Sequence, residues 1–323
     1  MSWLCWNVRG LGNQRTVREL GSMVRNQDPT ALFLAETWAG EDCLKRLCRE
    51  LLFDHFWIVP QVNKTGCLAL FWKKSVHIKV ISSSPNHIDT IVGSNLEAQW
   101  RFTGIYGFAE AARKPETWSL IRSLHLTASL PWLCAGDFNE ILWSPEKLGL
   151  GPRQEGCMKA FRDAFDECGL KDLGYLGDKF TWKGKRQGGM VFERLDRAVA
   201  NNQWSFLNPG TAIHHLNTHS SNHKPIVITP EGIIPKLNRP FKFEKMWLSD
   251  GGCSRIVKDA WGLSSPEALM AVVAGKLKKC DDKHLSWSRQ SFGNIKRSID
   301  LNSKRLNRAE LDAANGKGDA NLI

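Results

Sequence analysis

Four short apolar runs in this chain each stop on a polar side chain. Trp3-Leu4-Cys5-Trp6 runs into Asn7, and Leu32-Phe33-Leu34-Ala35 runs into Glu36. Phe102–Ile105 runs into Tyr106, and Leu133-Cys134-Ala135 runs into Gly136-Asp137-Phe138-Asn139. Two more polar residues border such runs: Asp196 within Arg194-Leu195-Asp196-Arg197, and His223 before Pro225–Ile228. Apolar runs of this length, bounded by turn residues, read as buried strands. A lone Glu after a strand is usually a solvated loop residue. Six such positions together predict strands whose ends converge on one rim, where polar loops gather.

Helical spacing fills the gaps. Val17, Leu20, Met23 and Val24 share a face within Arg15–Asn26. Pro115–Leu126 and Gly156–Cys168 read as helices, the latter with Met158, Phe161 and Phe165 inward. Leu68–Trp72 and Val76–Ile81 read as a hairpin. Phe180-Thr181-Trp182 and Arg194–Ala198 read as a second hairpin about a Gly/Lys-rich turn. Strands mixed with helices predict an α/β (α+β) fold: a four-layer sandwich of two mostly antiparallel β-sheets flanked by helices. Pro230, Pro235 and Pro240 punctuate a linker, so the first domain is expected over 1–232. The remainder, 233–323, reads as a helical C-terminal extension over Ser254–Trp261, Ala268–Leu285 and Ile295–Leu311, with Gly316–Asn321 disordered.

Charge sharpens this division. The formal net charge is +11, and residues 236–323 supply +7 of it, with 17 Lys and Arg against 10 Asp and Glu. A basic tail favours a polyanionic partner. Nine Cys without a CxxC pair argue against a disulfide framework or a zinc ribbon. No apolar run reaches the roughly 18 residues of a membrane span, and no signal peptide is visible. A nuclear or cytoplasmic location follows, with no membrane, no small-molecule cofactor and no evident protein partner; the chain is expected to be a monomer.

The six polar positions suit one kind of chemistry. Carboxylates can hold Mg²⁺ and orient a water; a His can protonate or stabilise a phosphate; Asn and Tyr supply neutral hydrogen bonds. Asp137 and Asn139 are two residues apart, so in an extended segment they face one side. The competing reading is an Asx-turn.

In order along the chain, Trp6-Asn7-Val8-Arg9-Gly10, Ala35-Glu36-Thr37, Ile105-Tyr106-Gly107, Gly136-Asp137-Phe138-Asn139-Glu140, Phe180-Thr181-Trp182, Arg194–Arg197 and Ser221-Asn222-His223-Lys224-Pro225 resemble the motifs of the endonuclease/exonuclease/phosphatase superfamily. The chain is most similar to the endonuclease domain of plant LINE-type (non-LTR) retrotransposons, over roughly residues 1–230. Phe241–Leu248 resembles the segment that follows this domain in such elements. The resemblance implies a Mg²⁺-dependent (or Mn²⁺-dependent) endonuclease that nicks DNA. It places Glu36 and Asn7 at the metal, and Tyr106 on the scissile phosphate. Asp137 would activate the attacking water beside Asn139, and Asp196 would orient His223. It places Thr181, Trp182, Arg194 and Ser221 at the substrate.

Two departures stand out, of which Arg9, standing where some DNA-repair relatives have a second acid, is common in retrotransposon members. The family usually has Ser-Asp-His where this chain has Ser221-Asn222-His223. The amide keeps the shape but removes a negative charge, which weakens Asn222 as a metal ligand and lowers the basicity of His223. Basic groups at Arg113, Lys114, Lys183, Lys185 and Arg186 are expected to track a DNA backbone, with Trp182 stacking on bases. The tail holds no Tyr-x-Asp-Asp polymerase motif, so a retrotransposon-derived nuclease without its reverse transcriptase is expected. Two alternatives stay open: a phosphatase acting on another phosphoester, and a non-catalytic nucleic-acid-binding remnant.

Overall fold

The structure, a computed structural model, describes residues 1–62, 65–94, 99–127, 129–232, 243, 245–262, 270–291 and 295–314. The chain divides into two compact units, Met1–Ile234 with Ala313–Ile323, and Pro235–Asp312.

The larger unit holds two six-stranded sheets. One comprises β1 (Trp3–Asn7), β2 (Ala31–Ala35), β3 (His55–Val62), β4 (Thr65–Trp72), β14 (Ala212–His215) and β15 (Ile226–Thr229), in the order β14-β15-β1-β2-β4-β3. The other comprises β5 (Ile78–Ser84), β6 (His87–Val92), β7 (Trp100–Tyr106), β8 (Trp132–Asp137), β10 (Lys171–Asp172) and β13 (Asp196–Ala200), in the order β10-β13-β8-β7-β6-β5. A small third sheet joins β9 (Lys147–Leu148), β11 (Trp182–Arg186) and β12 (Gly189–Glu193). Each large sheet contains one parallel pair, β1 with β2 and β7 with β8; the other pairings are antiparallel.

The facing sides of the two sheets make one core. Trp3, Cys5, Phe33 and Ala35 of the first sheet pack with Phe102, Leu133, Ala135 and Ala198 of the second. A buried Phe such as Phe33 contributes roughly 1.5–3 kcal/mol. Helices α1 (Gln14–Gln27) and α2 (Glu41–Glu50) cover the outer side of the first sheet, burying Leu20, Val24 and Leu47 against Leu4, Leu32 and Leu34. Helices α3 (Lys114–His125) and α4 (Glu155–Glu167) do the same for the second, with Trp118, Ile121, Phe161 and Phe165 inward. These are the four expected layers. The start of α1 follows its sequence: the Asn13 side chain accepts from Arg15 N, and left-handed Asp28 closes the helix onto Val24 O. A short helix α5 (Asn202–Leu207) precedes β14.

Both expected hairpins need correction. Leu68–Trp72 lies in β4, which pairs with β2 and β3, whereas Ile78–Ile81 lies in β5 of the other sheet, paired with β6. The chain crosses between sheets here because Val76 and Ile78 plug the core between them. The partner of β11 is β12, and Arg194–Ala198 leaves instead to form β13 beside β8. The Pro235–Asp312 unit contains α6 (Gly251–Trp261), α7 (Met270–Ser291) and most of α8 (Ile295–Ala314). Trp247 stacks on His284 there, with centroids 6.0 Å apart. The linker prolines Pro235 and Pro240, the motif residues Phe241 and Lys242, and Gly316–Asn321 lie outside the described residues.

Candidate active site

The two parallel pairs explain how distant residues meet. A parallel pair sets two C-terminal strand ends side by side. Asn7 lies opposite Ala35, so β1 delivers Asn7 and β2 delivers Glu36 to one edge. Tyr106 lies opposite Asp137, so β7 and β8 deliver these two in the same way. Asp196 opens β13 directly across from Asp137. His223 stands three residues before Ile226, which pairs with Cys5 of β1.

Hydrogen bonds then join the sheets. Asn7 Nδ2 donates to Glu36 Oε1 at 2.7 Å and to Asp137 Oδ2 at 2.9 Å. Tyr106 OH donates to Glu36 Oε1 at 3.0 Å. His223 Nδ1 lies 3.0 Å from Asp196 Oδ2 and 3.6 Å from Asp137 Oδ2. Arg9 Nε lies 3.6 Å from Glu36 Oε2. The backbone of the central segment makes a strict demand at Gly136, which sits at φ +140°, where a Cβ would fall 2.1 Å from Ile105 O. Only glycine fits between β7 and β8 at that point.

The electrostatics follow from burial among carboxylates. Burial opposes a charged imidazole at His223, but Asp196 and Asp137 outweigh it and push its pKa up to about 9. Burial also raises the Asp137 carboxyl, partly offset by His223. Burial, then Glu36 and Asp137, drive the Tyr106 hydroxyl far above its ordinary range, so it remains a donor.

Glu36, Asp137 and His223 each offer one ligand atom within 4.8 Å of the others. Two carboxylates held at this spacing suit a hard divalent cation, which prefers oxygen ligands. Asn7 braces those carboxylates with its nitrogen, while its Oδ1 accepts from Arg9 N at 3.2 Å. Asn222 faces another way. With its amide oxygen turned to the two neighbouring donors, it accepts from Trp182 Nε1 at 2.8 Å and Arg9 NH1 at 3.1 Å. The set opens into a cavity of about 490 Å³, whose cationic lining comprises Arg9, Lys114, Arg153, Lys185 and Arg186.

Several expected substrate contacts are held by bonds and packing within the protein. Thr181 is fully buried, and its Oγ1 accepts from Leu195 N and Asp196 N. Arg194 is 5% exposed and is held by Glu146 and Asp172. Trp182 lines the cavity but is 8% exposed, packed with Ile141, Met158, Val191 and Leu195. Its bridge to His223 docks the small sheet against the site. Ser221 Oγ donates to Asn7 O and accepts from His223 N, so it shapes the histidine loop. Lys114 is likewise not a surface cation: it is buried, donating to Asn139 O at 2.6 Å and to Glu140 Oε2 at 2.7 Å. Asn139 is left-handed, with φ 54°, and its N–H returns to Asp137 Oδ1. Asp137 and Asn139 therefore form an Asx-turn and not an extended pair.

Sequence reasoning discounted Arg9 and passed over Arg153 and Trp38. Arg9 follows Asn7 by two residues, the one local signal that was present. Arg153 and its partners Glu140 and Glu193 are joined only by the fold.

The chain matches the Endonuclease/Exonuclease/phosphatase family over residues 4–250. No curated protein matches it. Among solved structures it is similar to the endonuclease domain of TRAS1, a telomere-specific non-LTR retrotransposon, at 14% identity and TM-score 0.52, covering 70% of this chain and 96% of that one. It is similar to the 3'-5' exonuclease NExo of Neisseria meningitidis, at 16% identity and TM-score 0.55, covering 71% and 99%. It is also similar to the AP endonuclease LMAP of Leishmania major, at 16% identity and TM-score 0.54, covering 70% and 86%. At these identities the likeness is one of fold.

Proposed function

We propose that this chain, which belongs to the endonuclease/exonuclease/phosphatase family, hydrolyses phosphodiester bonds in DNA with a divalent cation, Mg²⁺ or Mn²⁺. The observation that carries this reading is the hydrogen-bonded set Asn7, Glu36, Asp137, Asp196 and His223, contributed by both sheets and opening into a cationic cavity. Glu36 and Asp137 would hold the cation, which when bound supplies a Lewis acid to a phosphate oxygen. Asp196 fixes His223 Nδ1, which leaves Nε2 to donate to the phosphate. Asp137 orients and deprotonates the attacking water. Tyr106 would redirect its hydroxyl proton from Glu36 Oε1 to a phosphate oxygen. Arg9, Lys185 and Arg186 neutralise neighbouring phosphates. DNA is preferred as substrate class because the similar 3' phosphatase NExo from Neisseria is bound to a product DNA hairpin, and the likeness to the TRAS1 domain supports retrotransposon descent. The catalytic part lies within residues 1–232, with 233–323 a basic helical extension.

A second reading has its own support. Asn222 is neutral where the resemblance expects an aspartate, and Arg9 and Trp182 already occupy its oxygen. Such a site can bind nucleic acid without turnover. Nicking of supercoiled plasmid decides between the two. The expected outcome is nicking in Mg²⁺, none in EDTA, and a rate for His223→Ala lower by about a hundredfold or more. Equal nicking by His223→Ala would refute the mechanism. Plasmid binding with no nicking would establish the second reading.

A further inference from the structure

We infer that Trp38 is a stacking platform for an unpaired nucleobase next to a phosphate held by Arg9. The inference rests on the nucleic-acid reading given above.

Trp38 is 48% exposed, whereas Trp182, the other tryptophan at the site, is 8% exposed and hydrogen-bonded. An exposed indole loses contact with nothing when a base arrives. The loop that carries it is rigid. Gly10 N donates to Glu36 O at 2.8 Å, Leu11 N to Thr37 O at 2.9 Å, and Thr37 N to Cys67 O at 3.1 Å. Thr37 is fully buried. Trp38 itself is left-handed, with φ 45°, a conformation a bulky residue keeps only when its surroundings impose it. The ring lies over Gly10, where a Cβ would come 2.9 Å from Cε3. Rigid aromatic side chains of this kind bind with little loss of conformational freedom.

Position and charge identify the occupant. The Arg9 guanidinium lies 5.9 Å from the Trp38 ring centroid, and Arg9 Nε lies 3.6 Å from Glu36 Oε2. One arginine therefore separates the ring from the candidate metal carboxylate. A cation at a half-exposed indole matches a nucleotide, with the base on the ring and the phosphate on the guanidinium. A base inside a regular duplex is already stacked on both faces and cannot reach the ring. The platform thus selects DNA with an unstacked nucleotide beside the cut: a bubble, a mismatch or a single strand.

The test uses the full chain in EDTA, so that binding is read without cleavage. Fluorescence anisotropy compares a labelled duplex carrying a central bubble with the fully paired duplex of the same sequence. The wild type is expected to bind the bubble more tightly. Trp38→Ala should weaken bubble binding about tenfold to a hundredfold, leave paired-duplex binding within about twofold, and recover largely in Trp38→Phe. Equal loss on both duplexes, or no loss on either, overturns the platform while leaving the nucleic-acid reading intact. If the wild type binds neither duplex, both fall. Should Trp38→Ala fail to fold, 2-aminopurine in the bubble reads the same contact on the wild type: quenching on binding supports it, and unchanged emission overturns it.

Discussion

Thr181→Val is the most informative single substitution for how the site is held. Valine matches threonine in shape and removes only the hydroxyl. Thr181 Oγ1 accepts from Leu195 N at 3.0 Å and Asp196 N at 2.9 Å, and the residue has no exposed surface. Valine would leave both N–H groups buried without a partner. Each such group costs about 1–3 kcal/mol. Allowing for some relaxation, the unit should lose roughly 2–4 kcal/mol. Thr181→Ser keeps the acceptor and drops one methyl, worth about 1 kcal/mol. For a unit of this size each kcal/mol moves Tm by about 2–4 °C, so Thr181→Val should melt about 4–16 °C lower and Thr181→Ser only a few degrees lower. Urea unfolding followed by tryptophan fluorescence measures the same difference as free energy. Thr181→Val within about 0.5 kcal/mol of wild type would refute the reasoning. So would the reverse order, with serine worse than valine. The substrate-contact role implied by the family resemblance predicts a different pattern: lower activity at unchanged stability.

Two further outcomes follow from the same geometry. Mg²⁺ at about 100-fold over its Kd should raise stability by about 2.7 kcal/mol, and Glu36→Gln should abolish that rise in a thermal melt; an equal rise in the variant would remove Glu36 from the cation site. Burial lowers the His215 pKa to about 4, so between its ordinary value near 6.5 and about 4 the unfolded chain holds a proton that the folded chain lacks. Stability is therefore lost as pH falls through that window, by about 2 kcal/mol at pH 5. In His215→Asn, the stability gap to wild type should narrow by that amount between pH 7 and pH 5; a constant gap in urea titrations would contradict it.

The rim of the site was legible because strand ends are a local property. Asn7, Glu36, Tyr106 and Asp137 each follow an apolar run, and parallel pairing brought those ends together. What the neighbours of a side chain would be was not legible. The resemblance puts Arg194 at the substrate until Glu146, 48 residues earlier, and Asp172, 22 earlier, are folded onto it. Removing such a partner would strand a buried charge, so these acids hold Arg194 inward. Trp182 reads as a stacking residue because a basic turn follows it, but the apolar cluster beneath it decides its orientation. The edge strand β3 was missed for a local reason. It carries Pro60, which an interior strand would not tolerate and an edge strand does.

Backbone conformation marks the site more sharply than residue type does. Among the described residues, eight other than glycine have positive φ, and four of them are Arg9, Glu36, Trp38 and Asn139. Each such residue costs on the order of 1–3 kcal/mol. Three of the four lie in the two loops tied by the bonds from Gly10 N to Glu36 O and from Leu11 N to Thr37 O. The fourth is fixed by Asp137 Oδ1, Gly107 O and Lys114 Nζ. Three of them line the cavity, and Trp38 meets it through Arg9. The strain is concentrated where the loops must turn sharply off parallel strand ends and still aim their side chains at one point. Local preference would place Asn139 but not Arg9, Glu36 or Trp38 in a left-handed conformation, so the sequence shows which side chains are available while the ties between loops determine where they point.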